Sequence, residues 1–263
     1  MINRASPIRS AFSLFLLIIV LPDSRADTRC TAPDEQISSD RPSIGNTAFA
    51  LQRGSLQIEN GLSVTHDHGA SSYDLPETHL RTGLSECNEL FIDLLDYTHT
   101  DQIGGPSGAS SISPGLKHQF SEWITGLTVA GTLGVYLSTG NPAISGAGPN
   151  VFMQIPAEYD AGNGWTVSGM FSALGQRHED NKNSIYQTSA SIDKSVTDRI
   201  DLYVEYATTY QKNQTNIDQI DIGGTYLLTP HQQLDFKIGT LLHADSANYY
   251  CSFGYSIRFD NLF

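Results

Sequence analysis

Nine carboxylates and four permanent cations recur at alternate positions in otherwise uncharged stretches of this 263-residue chain. The acids are Glu59, Glu77, Glu89, Asp93, Glu158, Asp193, Glu205, Asp221 and Asp235; the bases are Arg81, Lys117, Lys237 and Arg258. Each falls singly among Gly, Ser, Thr and Gln, with apolar residues one step to either side. Carboxylates so spaced on one face of extended chains line a wet, acidic surface that favours cations or neutral polar solutes. Where bases share that surface, the same groups can pair across strands and fill the space instead. Glu77 and Arg81 stand four apart on one face, about 13 Å at ~3.3 Å per residue, so they do not pair with each other. Arg81 is expected to bridge the carboxylates of neighbouring strands, Glu59 and Glu89.

Other chemistry finds less support. His66-Asp67-His68 puts two imidazoles on one side of an extended chain, but no further His or Cys is placed to complete four ligands. No metal and no cofactor is expected. A hydrolytic triad needs Ser, His and an orienting Asn or Asp together on one face. His118 is the one outward histidine near a strand core, whereas His79 and His243 share the charged face. No nucleophile and base come together, and the chain is not read as an enzyme.

The elements that must position these groups are strands. "GSLQIENGLSVTH" sets Leu56, Ile58, Leu62 and Val64 on one face against Gln57, Glu59, Gly61, Ser63 and Thr65 on the other, with Asn60 out of place. The pattern recurs, predicting twelve strands at about 54–66, 73–84, 88–98, 109–120, 124–138, 150–159, 165–176, 185–196, 199–210, 217–228, 232–243 and 248–259. At about 10–15 residues each, they match the 9–11 that cross a bilayer at a tilt better than the 5–6 of soluble sheets. Connections after even strands are tight, and those after odd strands are mostly longer and polar, such as "TGNPAISGAGPN" and "RHEDNKNS". That parity belongs to an outer-membrane barrel with both termini in the periplasm.

The apolar face then meets lipid and the charged face the lumen. Tyr97, Tyr136, Tyr159, Tyr210, Tyr249, Tyr250 and Phe259 near strand ends read as an interfacial aromatic girdle. Arg4 and Arg9, the apolar run Ala11 to Leu21, and Ser24-Arg25-Ala26 read as a signal peptide over 1–26. Asp27-Thr28-Arg29 before Cys30 lacks the small, apolar residues that lipidation needs. Removing the leader takes away three arginines and one aspartate, moving the net charge from −13 to −15. So acidic a chain is no nucleic-acid binder.

Residues 27–53 are polar and aperiodic; a small plug in the periplasmic mouth and a loose tail are both compatible with them. The barrel is assigned to 54–263. Cys30 and Cys87 fall at the periplasmic end, where a bridge is chemically permitted, although spacing alone proves no pairing. Cys251 looks outward as an apolar filler. The closing strand ends in aromatics, and Phe259 or Phe263 is expected to be read by the outer-membrane assembly machinery.

Several short motifs, in order, resemble the family called putative MetA-pathway of phenol degradation, a group of outer-membrane transporter-like barrels. They are Asp40-Arg41-Pro42, Gly54 with Glu59 and Gly61, "LPETHLRTGL" from Leu75 to Leu84, Glu89, Gly115-Leu116-Lys117 and Thr139-Gly140. The set continues through Glu205, Tyr226-Leu227-Leu228 with Pro230, Leu234-Asp235, Gly239, and Gly254 with Arg258-Phe259. Ser111 stands where the family often has Asp, leaving Lys117 without one lumen partner; Ser138 replaces a common proline, and "DNLF" extends past the usual ending. The resemblance implies an outer-membrane channel or transporter, in some members linked to aromatic-compound catabolism.

The combined expectation is an all-β, single antiparallel up-and-down transmembrane β-barrel of about 12 strands with a polar N-terminal segment. Its lumen would be lined by Glu59, Glu77, Arg81, Glu89, Asp93, Lys117, Glu158, Glu205, Asp221, Asp235, Lys237 and Arg258, with Asp40, Arg41 and Pro42 as a periplasmic plug. It would pass small solutes, aromatic or otherwise poorly soluble, through an acidic lumen. The alternative is a closed barrel with a structural or surface-interaction role in its outer loops.

Overall fold

The computed structural model describes residue 30 and residues 36–146, 148–178, 181–242 and 248–263. The leader expected at 1–26 and His243 lie outside the described residues. One antiparallel sheet closes on itself because β1 (Leu56–Asp67) pairs with both β2 (Ala70–Gly83) and β14 (Tyr249–Phe259). Between them run β3 (Asn88–Asp93), β4 (Tyr97–Thr100), β5 (Gly108–Ala109), β6 (Ser113–Gln119) and β7 (Leu127–Tyr136). β8 (Asn150–Gly162), β9 (Trp165–His178), β10 (Asn181–Thr197), β11 (Ile200–Gln211), β12 (Ile217–Thr229) and β13 (Gln232–Leu242) complete it. The order is that of the sequence, up and down, apart from the short β4 and β5, which stand as two extra pieces on a closed barrel of twelve strands.

Those two pieces are where the expected third and fourth strands break. β3 pairs with β2 from His79 to Gly83, and β4 resumes the pairing from Ser72 to Leu75. Pro76, which has no N–H to give to a ladder, lies in the gap. Across it Leu94 N–H still reaches the Thr78 carbonyl at 2.9 Å.

Side-chain alternation fixes which face is dry. Along β11, Leu202, Val204 and Tyr206 are 51, 43 and 44% exposed, whereas Glu205 is 1% and Ala207 0%. In β1, Glu59 is fully buried while Leu62 is 47% exposed. A protein in water does the opposite, because solvating a charge and hiding a hydrocarbon are both favourable there. An apolar exterior around a charged interior is the transmembrane arrangement, closed so that no sheet edge is left unpaired. Asn60, the outward exception, accepts a 2.7 Å hydrogen bond from Thr78 Oγ1 on the adjoining strand, which satisfies both groups locally.

Three details depart from the sequence reading. The first outer link is a two-residue turn, with His68 and Gly69 both at positive φ (49° and 78°), as a type I′ hairpin requires. "RHEDNKNS" is largely ladder, with Lys182 opposite Arg177 and Asn181 opposite His178. Beyond the lipid a strand has no apolar band to meet, so polar residues extend it freely. Tyr136 and Tyr250 belong to the inward parity rather than to a girdle; Tyr250 Oη donates to Asp221 at 2.9 Å.

Candidate functional site

Residues 36–51 run inside the barrel and touch its wall on several sides. An aperiodic chain has unpaired backbone N–H groups, each costly to bury without an acceptor. The inward carboxylates supply those acceptors. Asp40 N–H donates to Glu59 at 3.0 Å, Ile44 and Gly45 N–H to the two oxygens of Glu205 at 2.6 and 2.9 Å, and Leu51 N–H to Glu89 at 2.8 Å. Glu158 accepts from Thr47 Oγ1 at 2.7 Å and from Ala48 N–H at 2.5 Å, and Gln119 accepts from Ala50 N–H at 3.0 Å.

At one end of this segment lies a buried ionic nucleus. Arg81 forks between Glu89 (Nε to Oε1, 2.7 Å) and Glu59 (Nη1 to Oε1, 3.0 Å), bridging β3 and β1. Asp40, from the inserted segment, meets Lys117 Nζ at 3.0 Å and His79 Nε2 at 3.3 Å. Burial alone would raise the Asp40 pKa, but Arg81, Lys117 and His79 outweigh it and hold the carboxyl well below its usual range. His79 also faces Asp93 (2.5 Å), whose other oxygen accepts from Ser113.

Arg41 follows directly and occupies a slot made by two absent side chains. Gly61 and Gly254 oppose each other across β1 and β14. A Cβ on Gly61 would stand 2.2 Å from Arg41 Cζ, and one on Gly254 2.5 Å from its Nε. From this slot Arg41 pairs with Glu77 at 2.6 Å, donates to Ser252 Oγ at 2.5 Å, and lies 3.4 Å from Asp235. Arg258 anchors the segment's start, donating to the Gln36 carbonyl at 2.9 Å and lying 3.0 Å from Asp260. A disulfide joins Cys30 to Cys87 in the β2–β3 turn, with the Cα atoms 5.5 Å apart. Asp193 and Asp221 accept from wall hydroxyls, Ser191 at 2.8 Å and Tyr250 at 2.9 Å, and Lys237 Nζ lies 5.8 Å from the Tyr250 ring centre.

Two cavities flank the inserted turn. The outer one, about 620 Å³, is lined by Glu77, Asp93, Asp96, Tyr136 and Phe152 among others. The inner one, about 290 Å³, is rich in hydroxyls, including Ser168, Ser189 and Ser191, and Pro42 borders it. Arg41 and Asn46 are wall to both. Asn46 Nδ2 donates to Gln154 at 3.1 Å, so the turn is pinned to β2 and β14 through Arg41, to β11 through Ile44 and Gly45, and to β8 through Asn46.

The outer cavity has an aromatic wall that the charged residues gave no hint of. Ring centres step from His79 to Phe91 (5.3 Å), to Phe152 (6.3 Å) and to Tyr136 (4.9 Å). Phe91 and Phe152 lie flat over Gly115 and Gly134; a Cβ on either glycine would come within 2.2 Å of the ring. Their parity with Glu89 and Gln154 was the available signal.

Several solved structures share this shape. An outer membrane channel from Pseudomonas putida F1 is 14% identical, covering 87% of this chain and 99% of its own, with a TM-score of 0.65. The NanC porin (9% identity, 77% and 98% covered, TM-score 0.56) and the KdgM porin (8%, 77% and 99%, 0.55) share the barrel. No curated protein matches the chain in sequence. Its fold is therefore that of outer-membrane β-barrels, and a family model covers residues 39–259, from the residue before Asp40 to the end of β14. Inserted segment and barrel together are one family unit, and the chain belongs to the family described as putative MetA-pathway of phenol degradation.

Proposed function

We propose that this protein is an outer-membrane channel for small molecules, aromatic ones among them, with the turn 41–46 as its gate. The observation that carries the reading is the pair of cavities divided by that turn, with Arg41 and Asn46 facing both. Once the partition moves, a solute has a continuous path from the outer cavity to the inner one. The acidic lining favours cations and neutral polar groups over anions. The aromatic wall offers a ring a stacking surface. The fold relatives are named as channels and porins, and the family description names phenol degradation, which supports the class of cargo.

Single-channel recording in planar bilayers tests it. The native protein is expected to conduct weakly, and Arg41→Ala combined with Asn46→Gly to conduct several-fold more with a cation preference. If neither conducts while both remain folded, the barrel is closed and its role passes to the outer loops.

A further inference from the structure

Ion pairing inside the outer cavity is nearly complete, with one exception. Glu59 is held by Arg81, Asp40 by Lys117, Glu77 by Arg41, and Asp93 by His79. Asp96, in the break between β3 and β4, also lines the cavity. Its carboxylate has no ion pair among the described residues, and its Oδ1 is shut away without a donor. The loop after β7 borders the same space: Ile144 and Ser145 line it, and Asn141 N–H fixes the loop to the Ala109 carbonyl at 2.8 Å. The cavity is thus a space of about 620 Å³ with one aromatic wall and one carboxylate that has no ion pair among the described residues.

We propose that the outer cavity is a binding site for small aryl-alkyl ammonium ions. The cation sits against Asp96 and the ring against Phe152 and Tyr136. Two physical preferences converge on that class. A carboxylate without a cation of its own, set in a cleft with low-dielectric walls, attracts a ligand cation more strongly than the same group in bulk solvent. The faces of Tyr136 and Phe152 attract either a ring by stacking or an ammonium by cation–π contact. Neutral rings gain only the aromatic contact, and carboxylate-bearing rings are repelled. The proposal rests on the channel reading, because the cavity must be reachable from outside, and it adds the charge of the preferred cargo.

Binding of three ligands with one ring and different charge tests it: 2-phenylethylammonium, 2-phenylethanol and phenylacetate, titrated calorimetrically into the full purified protein in detergent at pH 7. The ammonium is expected to bind about tenfold or more tighter than the alcohol, the scale of one charge-assisted contact, with the acid weakest. Asp96→Asn should bring the ammonium to within about twofold of the alcohol and leave the alcohol unchanged. Phe152→Leu should weaken ammonium and alcohol together. Equal affinity across the three ligands, or an Asp96→Asn protein that keeps the full preference, overturns the site. A charge-blind protein that still conducts sinks this inference alone, whereas charge-selective binding without conductance sinks the channel reading alone.

Discussion

Taking away Arg81 would leave Glu59 and Glu89 both fully buried, with their bridging cation gone. Breaking a buried pair from one side costs about 3–5 kcal/mol, because the remaining charge stays desolvated. Arg81→Ala is therefore expected to lower the unfolding free energy of the barrel, read from urea titration in detergent, by that scale, and Arg81→Met paired with neutral Gln at both acids to recover much of it. Gly61→Ala acts differently. Its Cβ would overlap Arg41, so the gate should loosen and conductance rise while the barrel's own ladder stays intact. Asp40 gives a pH prediction. Its folded pKa is depressed, so the stabilisation it lends is complete above the ordinary aspartate value and is lost as pH falls through the lower folded value. Docking of the inserted segment, read as resistance to added protease, should hold at pH 5, fail only in strongly acid solution, and lose this dependence in Asp40→Asn. At this scale the inward or outward side of most charged residues was legible, since a period of two leaves one choice per strand. Of the partners, the Arg81 bridge between Glu59 and Glu89 was foreseen; that acids of the wall also accept backbone N–H groups of an aperiodic segment was not.

Strands and the inserted segment are held by different means, and that decides what could be foreseen of each. A strand in lipid must satisfy its backbone through its neighbours and therefore repeats. The segment from Gln36 to Leu51 satisfies its backbone through side chains of the wall and has no repeat to detect. Only Asp40-Arg41-Pro42, through family resemblance, marked it. The break after β3 was equally hidden, because Leu94-Leu95-Asp96 continues an apolar run across it. The Cys30–Cys87 bond spans 57 residues of sequence and ties the segment's start to the β2–β3 turn. Closing a loop of that length stabilises by about 2–4 kcal/mol. Replacing both cysteines by serine should lower the unfolding midpoint accordingly and lengthen open times in single-channel records; unchanged gating would show that the hydrogen bonds alone seat the segment.

For the molecule as a whole, the sheet is apolar outside and ionic inside. A cation on the outward face at mid-depth costs about 2–4 kcal/mol in such barrels. Ile222→Arg should therefore destabilise the barrel by roughly that amount, whereas Asp221→Asn, one position along and facing inward, keeps an acceptor for Tyr250 and should cost far less. A membrane-confined label should mark Leu56 and Ile222 and spare Glu59 and Asp221.

Covalent ties hold both ends of the inserted segment near one rim, through Cys87 at its start and through the chain entering β1 at its finish. A stopper on two cords can lift but cannot drift off. Its return is unimolecular, driven by a local concentration on the order of millimolar for a short tether rather than by encounter from bulk. On the gating proposed here leakage would be self-limiting: each excursion would end where it began, and the cell would never face a permanently uncorked hole.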